Sequence, residues 1–279
     1  MDYEQFLAQT GVSLGHIDRM KREACTTSWE FHVFYEMVWK PEYHVQVPVE
    51  KIIGLTGSRG KDGASWWDHF TGKAGFIVRD RIEYLRGKLE EMGLERFREH
   101  FSDKRYPVDL GYYPEHDVYI VEHDGNHRTL WAKIVGAPVI CATVHPFRFL
   151  PDHYERHKPV KERKKQFDRI LELYHLRWEE ADHEIFYKDI PVTHFDPGYH
   201  NRKNYEDDSG TKWIHHQFDK MEEQIHRALN IHRGLGWIKN RGFRDGILNL
   251  ILRGGFIHEN SAWEMLKNLY QAGWPGVRR

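Results

Sequence analysis

The sequence predicts an α+β fold. A small mixed sheet with helices spans residues 41–147, a helical segment covers 1–40, and a mostly helical region follows over 148–279. Three observations carry that reading. Residues 119–144 follow the order strand, turn, helix, strand; Val45, Val47 and Val49 alternate with Gln46 and Pro48 as a strand does; and apolar residues recur at helix spacing on both sides of this region.

Taken in order, Phe6, Val12, Leu14 and Ile17, then Phe31, Phe34, Tyr35, Val38 and Trp39, recur near helix spacing until Pro41 ends the segment. The strand at 45–53 runs into a loop holding Gly54, Gly57, Gly60 and Gly63, too much glycine for a regular element, and the loop reads as mobile. Ile82, Leu85, Leu89, Met92 and Phe97 share one side of a helical stretch over 79–100, and strands follow over 106–111 and 119–122, separated by Pro114. Beyond Pro146, the charged stretch 148–165, broken by Pro151 and Pro159, reads as a linker leading into a helix with Phe167, Ile170, Leu171, Tyr174, Trp178 and Ala181 on one face. Residues 191–210 read as a long polar loop and Ile214, Phe218, Met221, Ile225 and Leu229 as another helix stripe. The stretches 243–252 and 262–270 read as a closing helical pair.

The clearest local grammar lies in 119–144. Strand residues run into Asp124-Gly125-Asn126, all turn or N-cap formers, and Leu130, Trp131, Ile134 and Val135 supply a helix face. Gly136 is placed to end that helix, Pro138 blocks its continuation, and the β-branched run 139–144 reads as a buried strand.

Composition narrows the function classes. With 279 residues and a net charge of −1, the chain has material for a real core and no general polybasic coat for nucleic acid, although a local basic patch is allowed. Cys25 and Cys141 lie far apart without CxxC spacing, which argues against a disulfide framework or a cysteine zinc site and for a reducing compartment. The acidic N-terminus is unlike a signal peptide, and no apolar run reaches the ~20 residues that span a bilayer. The expectation is a soluble cytoplasmic protein with no membrane partner. The 20 histidines are scattered: His153 and His157 can share a helix face, His215 and His216 cannot, and solvent-facing or core-satisfied imidazoles are the expectation.

The turn at 124–128 has chemistry of its own. A helix N-terminus leaves backbone N–H groups without partners and favours negative charge, so a phosphate satisfies both. Gly125 lets the backbone approach, Arg128 can form a bidentate bond to phosphate oxygens, His127 can donate another, and Asp124 can hold a metal ion or take a proton from a hydroxyl. The alternative is local: Asp124 or Asn126 caps the helix and Arg128 pairs with a surface carboxylate. Local physics leaves both readings open.

Val47-Pro-Val-Glu50-Lys-Ile-Ile, a later strand, and then Asp124-Gly125-Asn126-His127-Arg128 with Ala132 and Gly136 behind it resemble the ParB/sulfiredoxin superfamily over roughly residues 45–145. The resemblance implies a ParB-like nucleotide-binding domain whose G-x-x-R turn, here Gly125 to Arg128, holds nucleotide phosphates, with His127 matching the G-x-H-R form of sulfiredoxins. It implies a phosphate site of Gly125, Asn126, His127, Arg128 and Thr129, catalytic candidates Asp124, His127 and Glu50, and Asp124 as a ligand for Mg2+ beside a nucleoside triphosphate, ATP or CTP. Glu50 enters as a base by similarity to the free-serine kinases of the superfamily, its alternative being a charge at the end of an edge strand. Asn126 stands where sulfiredoxin chemistry needs a cysteine, and Cys141 lies on a strand expected to be buried, which argues against sulfinic-acid reduction.

The expected function is therefore NTP hydrolysis or phosphoryl transfer. The alternatives are a DNA-acting protein, as a nuclease or NTP-gated binder, and a non-catalytic interaction module. The partners to be expected are a nucleotide, DNA in the second case, and a second copy of the chain. Gly54, Gly60 and Lys61 fail as a Walker A loop, with five residues between the glycines and Asp62 where Ser or Thr belongs, though Arg59 and Lys61 could close over a phosphate. The basic run 158–165 is interrupted by Glu162 and reads as a solvated helix face.

Overall fold

The structure is a computed structural model that describes residues 3–57, 59–60, 63–74, 77–179 and 183–235 together with Met265, Asn268 and Leu269. The helical pair expected over 243–252 and 262–270 lies outside the described residues apart from those three. The chain divides into two compact units, Met1–Pro151 and Asp152–Arg279.

The first unit is mixed α+β. Its elements in chain order are α1 (Tyr3–Gln9), α2 (Leu14–Arg22), β1 (Thr26–Thr27), α3 (Ser28–Phe34), β2 (Tyr35–Met37), β3 (Glu42–Pro48), β4 (Ile52–Leu55), α4 (Trp66–Phe70), α5 (Arg79–Met92), α6 (Leu94–His100), β5 (Val108–Tyr113), β6 (Val118–Val121), α7 (Asn126–Val135) and β7 (Val139–Phe149). Among the described residues seven strands form one sheet in the order β1-β4-β6-β5-β7-β2, with β3 also pairing β7. Strands β1 and β4, β4 and β6, and β5 and β7 run parallel; β5 and β6, β3 and β7, and β2 and β7 run antiparallel.

Strand alternation gives the sheet two unlike faces. Val108, Leu110, Val121, Ile140, Ala142 and Val144 join Leu130, Trp131, Ala132, Ile134 and Val135 of α7 in one apolar cluster. Asp109, Gly111 and Tyr113 of β5 point the other way, where Tyr113 stacks on Phe147 and meets Phe31 and Tyr35 edge-on. The segment expected to be helical over 1–40 thus also supplies β1 and β2 to the sheet. Tyr35 is a strand residue whose partner, Phe149, lies far along the chain.

In the second unit α8 (Pro151–Leu173) is one helix that runs through Pro159, where the sequence predicted a break and a linker. The face expected to extend to Trp178 ends earlier: Trp178 belongs to β8 (Leu176–Glu179), which pairs with β9 (Glu184–Tyr187), and β10 (Ile190–His194) completes a three-stranded antiparallel sheet, while Ala181, expected on the same face, lies outside the described residues. Part of the long loop expected over 191–210 is therefore strand. The stripe of Ile214, Phe218, Met221 and Ile225 is buried on α9 (Asp208–Leu235) as predicted. In the basic run, Lys158, Arg163, Lys164 and Lys165 each meet a carboxylate. His157 is a core residue within 3.1 Å of the Tyr199 hydroxyl. No helix among the described residues is long and apolar enough to cross a membrane.

Candidate functional site

The turn between β6 and α7 is built around one glycine. Gly125 has φ 107° and ψ 5°, in the left-handed region that glycine adopts without strain. A Cβ there would stand 2.5 Å from Cβ and Cγ1 of Val108, so β5 also forbids a side chain. Gly125 is the N-cap of α7, and no side chain caps the helix. Asp124 is exposed and its Oδ1 accepts the Gly125 N–H at 2.8 Å. Asn126 is the first helical residue: its buried amide accepts the Thr56 N–H at 3.0 Å and donates to Thr56 Oγ1 at 3.3 Å, which ties the turn to the loop after β4. What Asn126 can offer a ligand is its backbone. Neither capping alternative that the sequence allowed is used, and the first N–H groups of α7 have no partner within the helix.

His127 and Arg128 face a cleft of about 420 Å3. Nε2 of His127 accepts the Val78 N–H at 3.1 Å, and burial, reinforced by Arg81 and Arg59, lowers its pKa. Arg128 is half-buried, its guanidinium carbon 5.8 Å from the Tyr106 ring centroid, and its buried Nη2 has no hydrogen-bond partner. Burial opposes its charge more than any neighbour supports it. Across the cleft α5 contributes Arg81, Tyr84 and Lys88, and α6 contributes His100, whose pKa is lowered by burial and by Lys88 and Arg128. Tyr84 and Tyr106 are both more than half exposed at the cleft. The lining carries Arg81, Lys88 and Arg128 against the single carboxylate of Asp80, so its field is positive.

The remaining predicted residues are placed elsewhere. Thr129 is fully buried and spends its N–H on the Gly125 carbonyl, so its side chain faces the interior. Glu50 sits exposed on the 3-10 turn Val49–Lys51, where its carbonyl accepts Lys133 Nζ at 3.4 Å. Lys133 is seven residues, about 10 Å, along α7 from Asn126, so Glu50 stands at the far end of the helix from the turn. Lys61 lies outside the described residues. Cys141 is buried, and burial raises its pKa, so it is no ready thiolate.

Among the described residues no group of three His, Cys, Asp or Glu side chains could hold a metal ion. Asp124 could still serve Mg2+, which is commonly held by one or two carboxylates together with substrate phosphates. The cleft residues Arg81, Tyr84, Lys88, His100 and Tyr106 were missed in the sequence; a signal existed in the spacing of Arg81, Tyr84 and Lys88, which marks one polar stripe of a helix. No protein-family model, curated protein or solved structure matches the chain.

Proposed function

We propose that the first unit is a nucleotide-binding domain of ParB/sulfiredoxin type. In this reading the phosphates of a nucleoside triphosphate lie at the N-terminus of α7, and the protein hydrolyses the triphosphate or transfers its terminal phosphoryl group. One observation carries the reading: Arg128, half-buried on the cleft, keeps a buried guanidinium nitrogen without a partner. Leaving a buried donor unsatisfied costs ~1–3 kcal/mol, and a phosphate oxygen removes that cost. The uncapped N–H groups of α7 add to it, Arg81 and Lys88 supply charge, and the exposed rings of Tyr84 and Tyr106 suit stacking against a base. Mg2+ held by Asp124 and phosphate oxygens would neutralise charge building on the leaving group.

The test is a thermal-shift panel of ATP, CTP, GTP and UTP with and without magnesium. A triphosphate at 100 times its Kd adds about 2.7 kcal/mol of stability. The shift is expected with wild type and lost in Arg128→Ala, whose far-UV spectrum stays unchanged. A full shift in Arg128→Ala, or no shift with any triphosphate, defeats the proposal. Binding to DNA that weakens steeply with salt, without a triphosphate effect, would favour the DNA-acting alternative.

A further inference from the structure

The second unit carries a cleft of its own, of about 420 Å3. Three aromatic side chains line it: Trp178 of β8, Tyr199, and Trp213 of α9. Beside them stand the carboxylate of Asp196 and the carboxamides of Asn201 and Asn204. Aromatic walls with a few polar groups, at this volume, make a small-molecule site.

The loop between β10 and α9 holds these groups in place. The Gly198 N–H donates to Asp196 Oδ1 at 2.8 Å, and the Gly198 carbonyl accepts Nδ2 of Asn204 at 3.0 Å. Oδ1 of Asn201 accepts the Lys203 N–H at 3.1 Å, and the Tyr205 hydroxyl donates to the Tyr199 carbonyl at 2.8 Å. Gly198 takes φ 68°, and a Cβ there would stand 2.7 Å from the Trp213 ring, so only glycine lets the loop lie against the indole. Each polar group thus spends one atom on the loop. Asp196 Oδ2, Asn201 Nδ2 and Asn204 Oδ1 have no hydrogen-bond partner among the described residues, which leaves two acceptors and one donor.

The charge of the lining narrows the ligand. Among the described residues it holds the carboxylate of Asp196 and neither lysine nor arginine, so a phosphate finds no counter-charge there. Aromatic rings also suit a cation, but these rings already have one of the protein's own. Lys164 Nζ stands 5.6 Å from the Trp178 ring centroid and 5.9 Å from that of Tyr199, and it is paired with Asp168. A neutral ligand remains. Trp213 is 46% exposed at the cleft, so much of a large apolar ring is left uncovered beside the unspent acceptors and donor. A sugar ring matches both features: it has a face of C–H groups and a rim of hydroxyls, each able to donate and to accept.

We propose that this cleft binds a neutral sugar, whose C–H face stacks on Trp213 and whose hydroxyls are held by Asp196, Asn201 and Asn204. Nucleotide binding by the first unit is not required for it.

The experiment titrates the full chain with glucose, galactose, mannose, N-acetylglucosamine, maltose and cellobiose. Nitrogen–proton NMR follows the indole N–H signals, and saturation transfer follows the sugar protons. At least one sugar is expected to bind, to shift the Trp213 indole signal and to take up saturation most strongly on one ring face. Trp213→Ala should weaken binding about 10-fold or more, and Trp213→Phe less, since a smaller ring still stacks. Asp196→Asn keeps an oxygen for the Gly198 N–H and turns the other acceptor into a donor, so it too should weaken binding about 10-fold. Both side chains are exposed, and the variants should keep the wild-type far-UV spectrum; should Trp213→Ala fail to fold, Trp213→Phe and Asp196→Asn decide. Failure of every sugar to bind wild type, or undiminished binding in the variants, overturns the inference. Tighter binding of tetramethylammonium than of any sugar overturns it in favour of a cation cage, and tighter binding of adenosine or cytidine in favour of a nucleobase site.

Discussion

The two faces of the seven-stranded sheet are packed by different rules. Against α7 the strands present Val108, Leu110, Val121, Ile140 and Ala142 to a helix whose Leu130, Trp131 and Ala132 are wholly buried. Against α3 they present Tyr113, Phe147 and, just past β6, Glu122, joined to His32 by hydrogen bonds and ring stacking. Apolar packing is non-directional and tolerates any filling of the right shape, whereas a buried carboxylate is stable only where its partners stand. The difference separates packing set by shape from packing set by the position of each partner, and the turn at 124–128 joins β6 to α7 at the end of this sheet.

The largest expected effect tests the apolar face. Trp131 is fully buried and meets Phe70 and Phe97 edge-on at 4.8 and 5.7 Å. Trp131→Ala is expected to cost about 3–5 kcal/mol in urea unfolding. Glu122→Gln keeps the shape and one acceptor of the other face and should cost less, about 1–3 kcal/mol. Equal losses from the two substitutions would mean that the polar network bears as much of the stability as the core does.

An intermediate effect comes from pH. His16, His100 and His127 all have pKa values lowered from 6.5, burial being the first cause of each. His16 reaches the Lys133 carbonyl with Nε2 at 2.8 Å, His127 accepts the Val78 N–H, and His100 lines the cleft, so all three belong to the α7 side. Below 6.5 the unfolded chain binds protons that the folded chain refuses. Stability is therefore complete above pH 6.5, falls as pH drops from 6.5 toward the folded pKa values, and levels off below them. Each histidine contributes a slope of at most about 1.4 kcal/mol per pH unit. His127→Gln should flatten the acid limb of a stability–pH curve, and an unchanged limb would show that His127 titrates as freely folded as unfolded.

How much of this was legible follows from where each determinant sits along the chain. The unit at 119–144 was readable because its signals are local: Gly125 and Gly136 both take positive φ, and Pro138 precedes the strand. The β2 strand was hidden because nothing near Tyr35 reveals that it pairs with Phe149. Trp178 fell in step with the helical face of Phe167 and Leu171, but the chain turns at His175, which takes φ 57° where no glycine advertises it. Pro159 misled in the opposite sense, since α8 continues through it. At the site, the backbone turn was legible and the cleft was not. Arg81 and Lys88 lie some forty residues before Arg128 and meet it only through the packing of α5 on α7. The reading of Asn126 as a phosphate contact could not foresee that its amide is consumed by Thr56, seventy residues away.

The smallest expected stability effect is the most telling about the turn. Arg128 is half-buried, burial works against its charge, and one of its guanidinium nitrogens is buried without a partner. A side chain kept for stability would have its donors satisfied, as Lys133 does at 2.8 Å from Glu23 in the same helix. Arg128→Ala removes a desolvated charge and also some packing against Tyr106, two effects of opposite sign. Its stability without ligand should therefore stay within about 0.5 kcal/mol of wild type, and a small gain is the outcome that a residue held strained for binding would give. Chemical denaturation of both proteins without ligand, then with triphosphate and magnesium, reads the two quantities separately. A loss of more than ~1 kcal/mol in the ligand-free Arg128→Ala would place the guanidinium among the groups that hold α7 to α5 and β5, and the difference between the two faces would no longer extend to the turn.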